Sequence, residues 1–191
     1  MKNPFKMPRR PGFSSCLSAF AVAFALLGAA VSAEEPDLTV TPIARDGKVL
    51  VSFELSGGFT ADVRDAIQSG LSTTFFYEVE LRHGSATWFD RTIAEVTTSA
   101  TVRFDNLTRR YQMSRTLDGR VEDARPTEDR EAMSRWMTRF DHIPLSTTSA
   151  LEANGEYYVR VRAHTRARNT WFFWPWDRGT LFGQAKFTFI P

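Results

Sequence analysis

Apolar residues recur at every second position in four stretches of the chain. Val49, Val51, Phe53 and Leu55 alternate with Lys48, Ser52 and Glu54, and Phe75, Tyr77, Val79 and Leu81 alternate with Glu78, Glu80 and Arg82. Tyr157, Val159, Val161 and Ala163 alternate in turn with Tyr158, Arg160, Arg162 and His164, and near the end Phe187 and Phe189 fall between Lys186, Thr188 and Ile190. A period of two predicts strands with one buried face. A wet opposite face points to antiparallel sheets, because parallel sheets are covered on both sides. Asp46-Gly47 and Asp118-Gly119 supply residues that tolerate positive φ and predict hairpins, while Asn154-Gly155 leads into a strand beginning near Glu156.

Two segments switch to a helical period. Thr60 is the expected N-cap of a helix over 61–69, with Val63, Ala66 and Ile67 on one face and Gly70 at its end. Thr127 is the expected cap of a second helix over 128–140, where Glu128 and Asp129 sit at the positive end of the helix dipole. Met133, Trp136, Met137 and Phe140 share one face of it, expected to pack on a sheet, with a Met and Trp binding groove as the alternative. The run Leu151-Glu-Ala-Asn-Gly-Glu-Tyr157, followed by Val-x-Val alternation, resembles the tyrosine corner of immunoglobulin-like and fibronectin type III sandwiches. The expected fold is therefore mainly β: an antiparallel two-sheet sandwich with two short helices.

The first 33 residues break these patterns. Lys2, Lys6, Arg9 and Arg10 precede an uncharged stretch from Leu17 to Val31, and Val31-Ser32-Ala33 places small residues at the −3 and −1 positions of a cleavage site. This is the three-part pattern of a secretory signal, and an apolar run of roughly 15 residues falls short of the ~20 that span a bilayer. We expect a cleavable signal over 1–33, a single domain over 34–191 and an exported, periplasmic location. A retained signal would instead anchor the protein to the membrane.

Composition changes once that segment is set apart. Four of the 24 basic residues lie in it, leaving 20 against 22 acidic ones, so the positive formal charge of the whole chain disappears. A nucleic-acid partner loses its electrostatic support. Cys16 is the single cysteine and also lies in the segment, so the remainder has neither disulfide nor thiolate chemistry.

Sequence motifs for chemistry are sparse. His83, His142 and His164 are the three histidines, and none stands at a metal-pairing spacing from another. His142 is expected just past a helix C-terminus and His164 on the wet face of its strand. His83-Gly84-Ser85 is adjacency rather than a triad, and Asn106-Leu107-Thr108 fits a short glycosylation sequon. Glu78 and Glu80 share a strand face with Arg82, which reads as a solvated charged strip rather than a catalytic carboxylate pair. No catalytic residue, metal site or cofactor is expected. The candidate binding residues are Trp171, Phe172, Phe173, Trp174, Trp176 and Arg178, in an aromatic segment with three readings: a plug at one end of the sandwich, a patch for a protein or glycan, or a contact with the membrane interface.

Taken along its length, from about 37 to 191, the chain resembles a family of bacterial exported proteins catalogued as domain of unknown function 4390. The resemblance is carried by Val63 through Leu81, Trp88-Phe89-Asp90, Asn106 through Tyr111, Leu151 through Ala163 and the closing Phe187 through Pro191. The chain departs from the pattern near Trp88, where a second Trp is usual, and at Trp171–Trp176, which is more aromatic than the family's stretch. The resemblance implies an exported or membrane-associated β-rich domain and, by genes that neighbour membrane sensor kinases, an accessory role in envelope sensing. The leading expectation is thus a non-enzymatic envelope module with a protein partner. Glycan, lipid or membrane binding through 171–176 is the alternative, and a carboxylate-based hydrolase comes third.

Overall fold

A computed structural model describes residues 36–84, 91–167 and 181–191. Among them, nine strands form two antiparallel sheets, joined by two helices and a 3-10 turn. The strands are β1 (Asp37–Arg45), β2 (Lys48–Ser56), β3 (Thr73–His83), β4 (Arg91–Asp105), β5 (Arg110–Leu117), β6 (Arg120–Thr127), β7 (Arg139–Thr147), β8 (Glu156–Ala167) and β9 (Leu181–Thr188), with α1 (Ala61–Gln68) before β3 and α2 (Arg130–Thr138) before β7. One sheet has the order β1-β2-β7 and the other β6-β5-β4-β3-β8-β9. The expected sandwich is present, and the chain changes sheets through α1, through α2 and through the corner before β8.

The hairpin turns form where the sequence places them. Asp46 and Gly47 both have positive φ, 50° and 73°, and so do Asp118 and Gly119, 46° and 77°. Two positive values in succession match the right-handed twist of the strands they join. The predicted alternation holds in β2, β3 and β8, whose apolar rows all face the core.

The core centres on three rings from three strands. Phe53 stacks on Phe140 at 4.9 Å, and Tyr77 meets Phe53 at 4.9 Å and the edge of Phe140 at 5.1 Å. The Tyr77 hydroxyl donates to the Met137 carbonyl at 2.8 Å, and burial pushes that hydroxyl's pKa well up. The corner before β8 is a tyrosine corner: the Glu152 N–H donates to Tyr157 Oη at 2.7 Å. A Cβ on Gly155 would come within 2.8 Å of the same ring and hydroxyl, so the glycine makes room for the tyrosine.

Two helix expectations hold unequally. α1 is capped by Thr60, whose side chain accepts from the Val63 N–H, and Val63, Ala66 and Ile67 are buried as expected. α2 is shorter than expected. Its cap is Asp129, which accepts from the Glu131 N–H, while Thr127 accepts one step earlier from the Asp129 N–H. The helix ends at Thr138, so Phe140 reaches the core from β7, and His142 lies within that strand at φ 56° with its N–H donated to Ser52 Oγ. The early stop has a tertiary cause: side chains from the opposite sheet take up the last carbonyls of the helix, as described below.

Candidate functional site

Because Phe75, Tyr77, Val79 and Leu81 point into the core, Glu78, Glu80 and Arg82 project from the far face of β3. β8 lies antiparallel beside it in a register that sets Glu78 opposite Arg162, Glu80 opposite Arg160, Arg82 opposite Tyr158 and Phe76 opposite His164. The result is a ladder of charges across two central strands. Arg162 reaches Glu80 Oε1 at 3.2 Å and Glu78 Oε2 at 3.7 Å. His164 Nε2 lies 3.5 Å from Glu78 Oε2, and Arg82 lies 3.7 Å from Glu80 Oε2. The guanidinium carbons of Arg82 and Arg160 stand 5.9 and 5.7 Å from the Tyr158 ring centre, within range of a cation–π attraction.

The expectation of a solvated strip holds for Glu78 and is corrected at Glu80. Glu80 is only 8% exposed and Tyr158 only 5%, although both lie on the face away from the core. The sequence showed the carboxylates and Arg82 on one strand, but not that Arg162 would reach both carboxylates from the next. Water is withdrawn from Glu80, while Glu78, Arg162 and His164 stay partly exposed, and Glu80 Oε2, Arg160 Nε and His164 Nε2 are buried without a hydrogen bond. A buried polar atom left unbonded costs about 1–3 kcal/mol. The ladder is thus the place on the sheet surface where added donors and acceptors would recover the most. Arg160, Arg162 and Tyr158 were not singled out from sequence. Their signal was present as i, i+2 charges on β8, mirroring those on β3, but pairing them requires the register.

The cations on the inner side of the same sheet are arranged differently. Arg115 of β5 stacks on Trp136 at 4.3 Å and on Phe140 at 4.2 Å, and Arg125 of β6 stands 4.6 Å from the Trp136 ring. Arg115 donates to the Trp136 carbonyl at 2.7 Å and to the Arg139 carbonyl at 2.5 Å. Desolvation lowers its pKa, opposed by its attraction to Tyr77. Together Arg115 and Tyr77 take up the carbonyls at the end of α2, the favourable pole for a cation. Met133, Trp136 and Met137 are buried against the sheets, so the helix stripe is packing and not a groove.

The remaining sequence candidates are dispersed. Trp171, Phe172, Phe173, Trp174, Trp176 and Arg178 lie outside the described residues, as do Ser85 and Trp88. His83 packs on Tyr157 with ring centres 5.0 Å apart, and His142 belongs to the other sheet. Asn106-Leu107-Thr108 forms the exposed turn between β4 and β5, tied down by Asp105, which accepts from the Leu107 N–H at 2.9 Å. Among the described residues, no group of three His, Cys, Asp or Glu side chains is placed to hold a metal ion, and no helix is long and apolar enough to cross a membrane.

A family model described as domain of unknown function 4390 matches residues 37–169, and the chain belongs to that family. No curated protein and no solved structure matches the chain.

Proposed function

We propose that this family member is a non-enzymatic, exported envelope protein that acts as a protein-interaction or accessory sensing module, and that it engages its partner through the outer face of β3 and β8. One observation carries the reading: on that face a row of partly exposed charges surrounds the buried Glu80, and Glu80 Oε2, Arg160 Nε and His164 Nε2 lack hydrogen bonds. Such atoms cost the isolated domain stability, and a partner that supplies the missing bonds recovers it. The partner is accordingly a folded protein surface with both donors and acceptors, such as the external domain of a membrane protein. Export is supported by the signal-like pattern of residues 1–33.

The test is site-specific photo-crosslinking in the native host. A photoreactive residue at Gln184, exposed on β9 directly opposite Arg160, is expected to capture an envelope protein. The same residue at Thr41, exposed on β1 of the other sheet, is expected to capture none. Equal capture from both positions, or none from Gln184, overturns the proposal.

A second reading, contact with a glycan, lipid or membrane surface through Trp171–Trp176, is favoured by topology. β8 ends at Ala167 beside Thr73, and β9 begins at Leu181 opposite Ala163 of β8. Ala167 and Leu181, the described residues that flank the segment, lie toward the sheet end that also carries Leu107, 94% exposed at the β4–β5 turn. Liposome flotation decides it: binding that is lost when Trp171, Trp174 and Trp176 are replaced by Ser supports this reading, and no binding by the wild type removes it.

A further inference from the structure

β6 is the outermost strand of the six-stranded sheet, bonded to β5 along one side. Every residue from Arg120 to Pro126 is exposed, Val121 among them. The opposite edge of the same sheet is treated otherwise. There β9 lies so close to β1 that a Cβ on Gly183 would overlap the Leu38 carbonyl oxygen. A free edge strand presents unbonded backbone donors and acceptors to any passing strand, and charges together with proline ordinarily blunt it. β6 has both, in Arg120, Glu122, Asp123, Arg125 and Pro126. Their order, however, blunts the edge against most strands while leaving it complementary to itself.

Symmetry makes that statement specific. Successive residue pairs in an antiparallel ladder alternate between bonded and non-bonded types, so a two-fold axis between identical strands must pass where one residue faces its own copy. An axis at Glu122, Asp123 or Arg125 sets a like charge against itself. An axis at Val121 leaves little overlap, because the turn at Asp118-Gly119 follows at once. An axis at Ala124 places the smallest side chain of the strand against itself. It sets Asp123 opposite Arg125 twice. Opposite charges directly across a ladder stabilise it, and like charges destabilise it.

We infer that β6 is a homotypic docking edge, at which two copies of this chain pair antiparallel about Ala124 to make one continuous sheet. An edge contact of this length belongs to the transient class of interfaces, below about 1,200 Å². The expected behaviour is a concentration-dependent monomer–dimer equilibrium, independent of the partner surface on β3 and β8.

Sedimentation velocity of the purified protein across a concentration series tests the inference. The wild type is expected to shift toward dimer as concentration rises. D123R and R125D, each at an exposed position, are expected to remain monomeric with an unchanged circular dichroism spectrum. An equimolar mixture of the two variants is expected to recover the dimer, since unlike charges again face each other at both contacts. A wild type that stays monomeric, single variants that dimerise like the wild type, or a mixture that stays monomeric each overturns it.

Discussion

Arg115 and Arg162 are both guanidiniums drawn partly out of water, one on each face of the six-stranded sheet, and they are held in contrasting ways. Arg115 lies against two aromatic rings and donates to two carbonyls. Its own donors meet carbonyls of the domain, although the Trp136 indole N–H beside it has no hydrogen bond, and it acts as a cap for α2 and a link between the sheets. Arg162 spans two carboxylates in a row of charges where neighbouring polar atoms have no bond. The first arrangement supports the fold. The second carries a cost that the domain itself does not relieve, which is the physical reason for placing the partner surface there.

That contrast can be broken by substitution, beginning with the ring on which Arg115 rests. Phe140→Ala is expected to destabilise by about 4 kcal/mol, because it opens a cavity against Phe53 and Tyr77 and removes one face of the cation stack. Urea unfolding would measure it, and a loss near zero would show that the core does not centre there. Arg115→Leu keeps apolar contact but leaves the helix-end carbonyls without their donor. We expect a loss of about 2–3 kcal/mol with partner capture from Gln184 unchanged.

On the outer face the order of effects reverses. Arg162→Gln is expected to cost only about 1 kcal/mol, as for ion pairs still reached by water, yet to abolish capture from Gln184. A variant that captured its partner normally would separate the ladder from function. The smallest effect is expected at Asp105, whose carboxyl the Leu107 N–H, its main cause, holds below the usual range. A lowered folded-state pKa means that its contribution is present above the unfolded value and fades as pH falls through the folded one. In an NMR titration the Leu107 amide should shift together with this carboxyl, below the range of ordinary aspartates. Titration within the ordinary range would remove the turn from the account.

Much of the architecture was legible along the chain. The alternation in β2, β3 and β8, the turns at Asp46-Gly47 and Asp118-Gly119, the Thr60 cap and the Tyr157 corner all depend on neighbours within a few residues, so local spacing suffices to find them. The end of α2 was not legible, because Arg115 and Tyr77, far away in sequence, supply the groups that satisfy its carbonyls. Most of the ladder was equally hidden. Glu78, Glu80 and Arg82 could be placed on one strand face, but whether they met water or Arg162 depended on which strand lay beside β3 and in what register.

The sequence by itself determined which residues face inward, where the chain turns and that the domain carries no cysteine chemistry beyond residue 33, because backbone periodicity, turn geometry and composition are local properties. Only the tertiary structure decided that Glu80 is buried within a row of partly exposed charges while a half-buried Arg115 is held by two carbonyls, and that β6 is an open edge among the described residues. Those are matters of strand order and register, in which residues tens of positions apart meet, and single-strand patterns do not encode them.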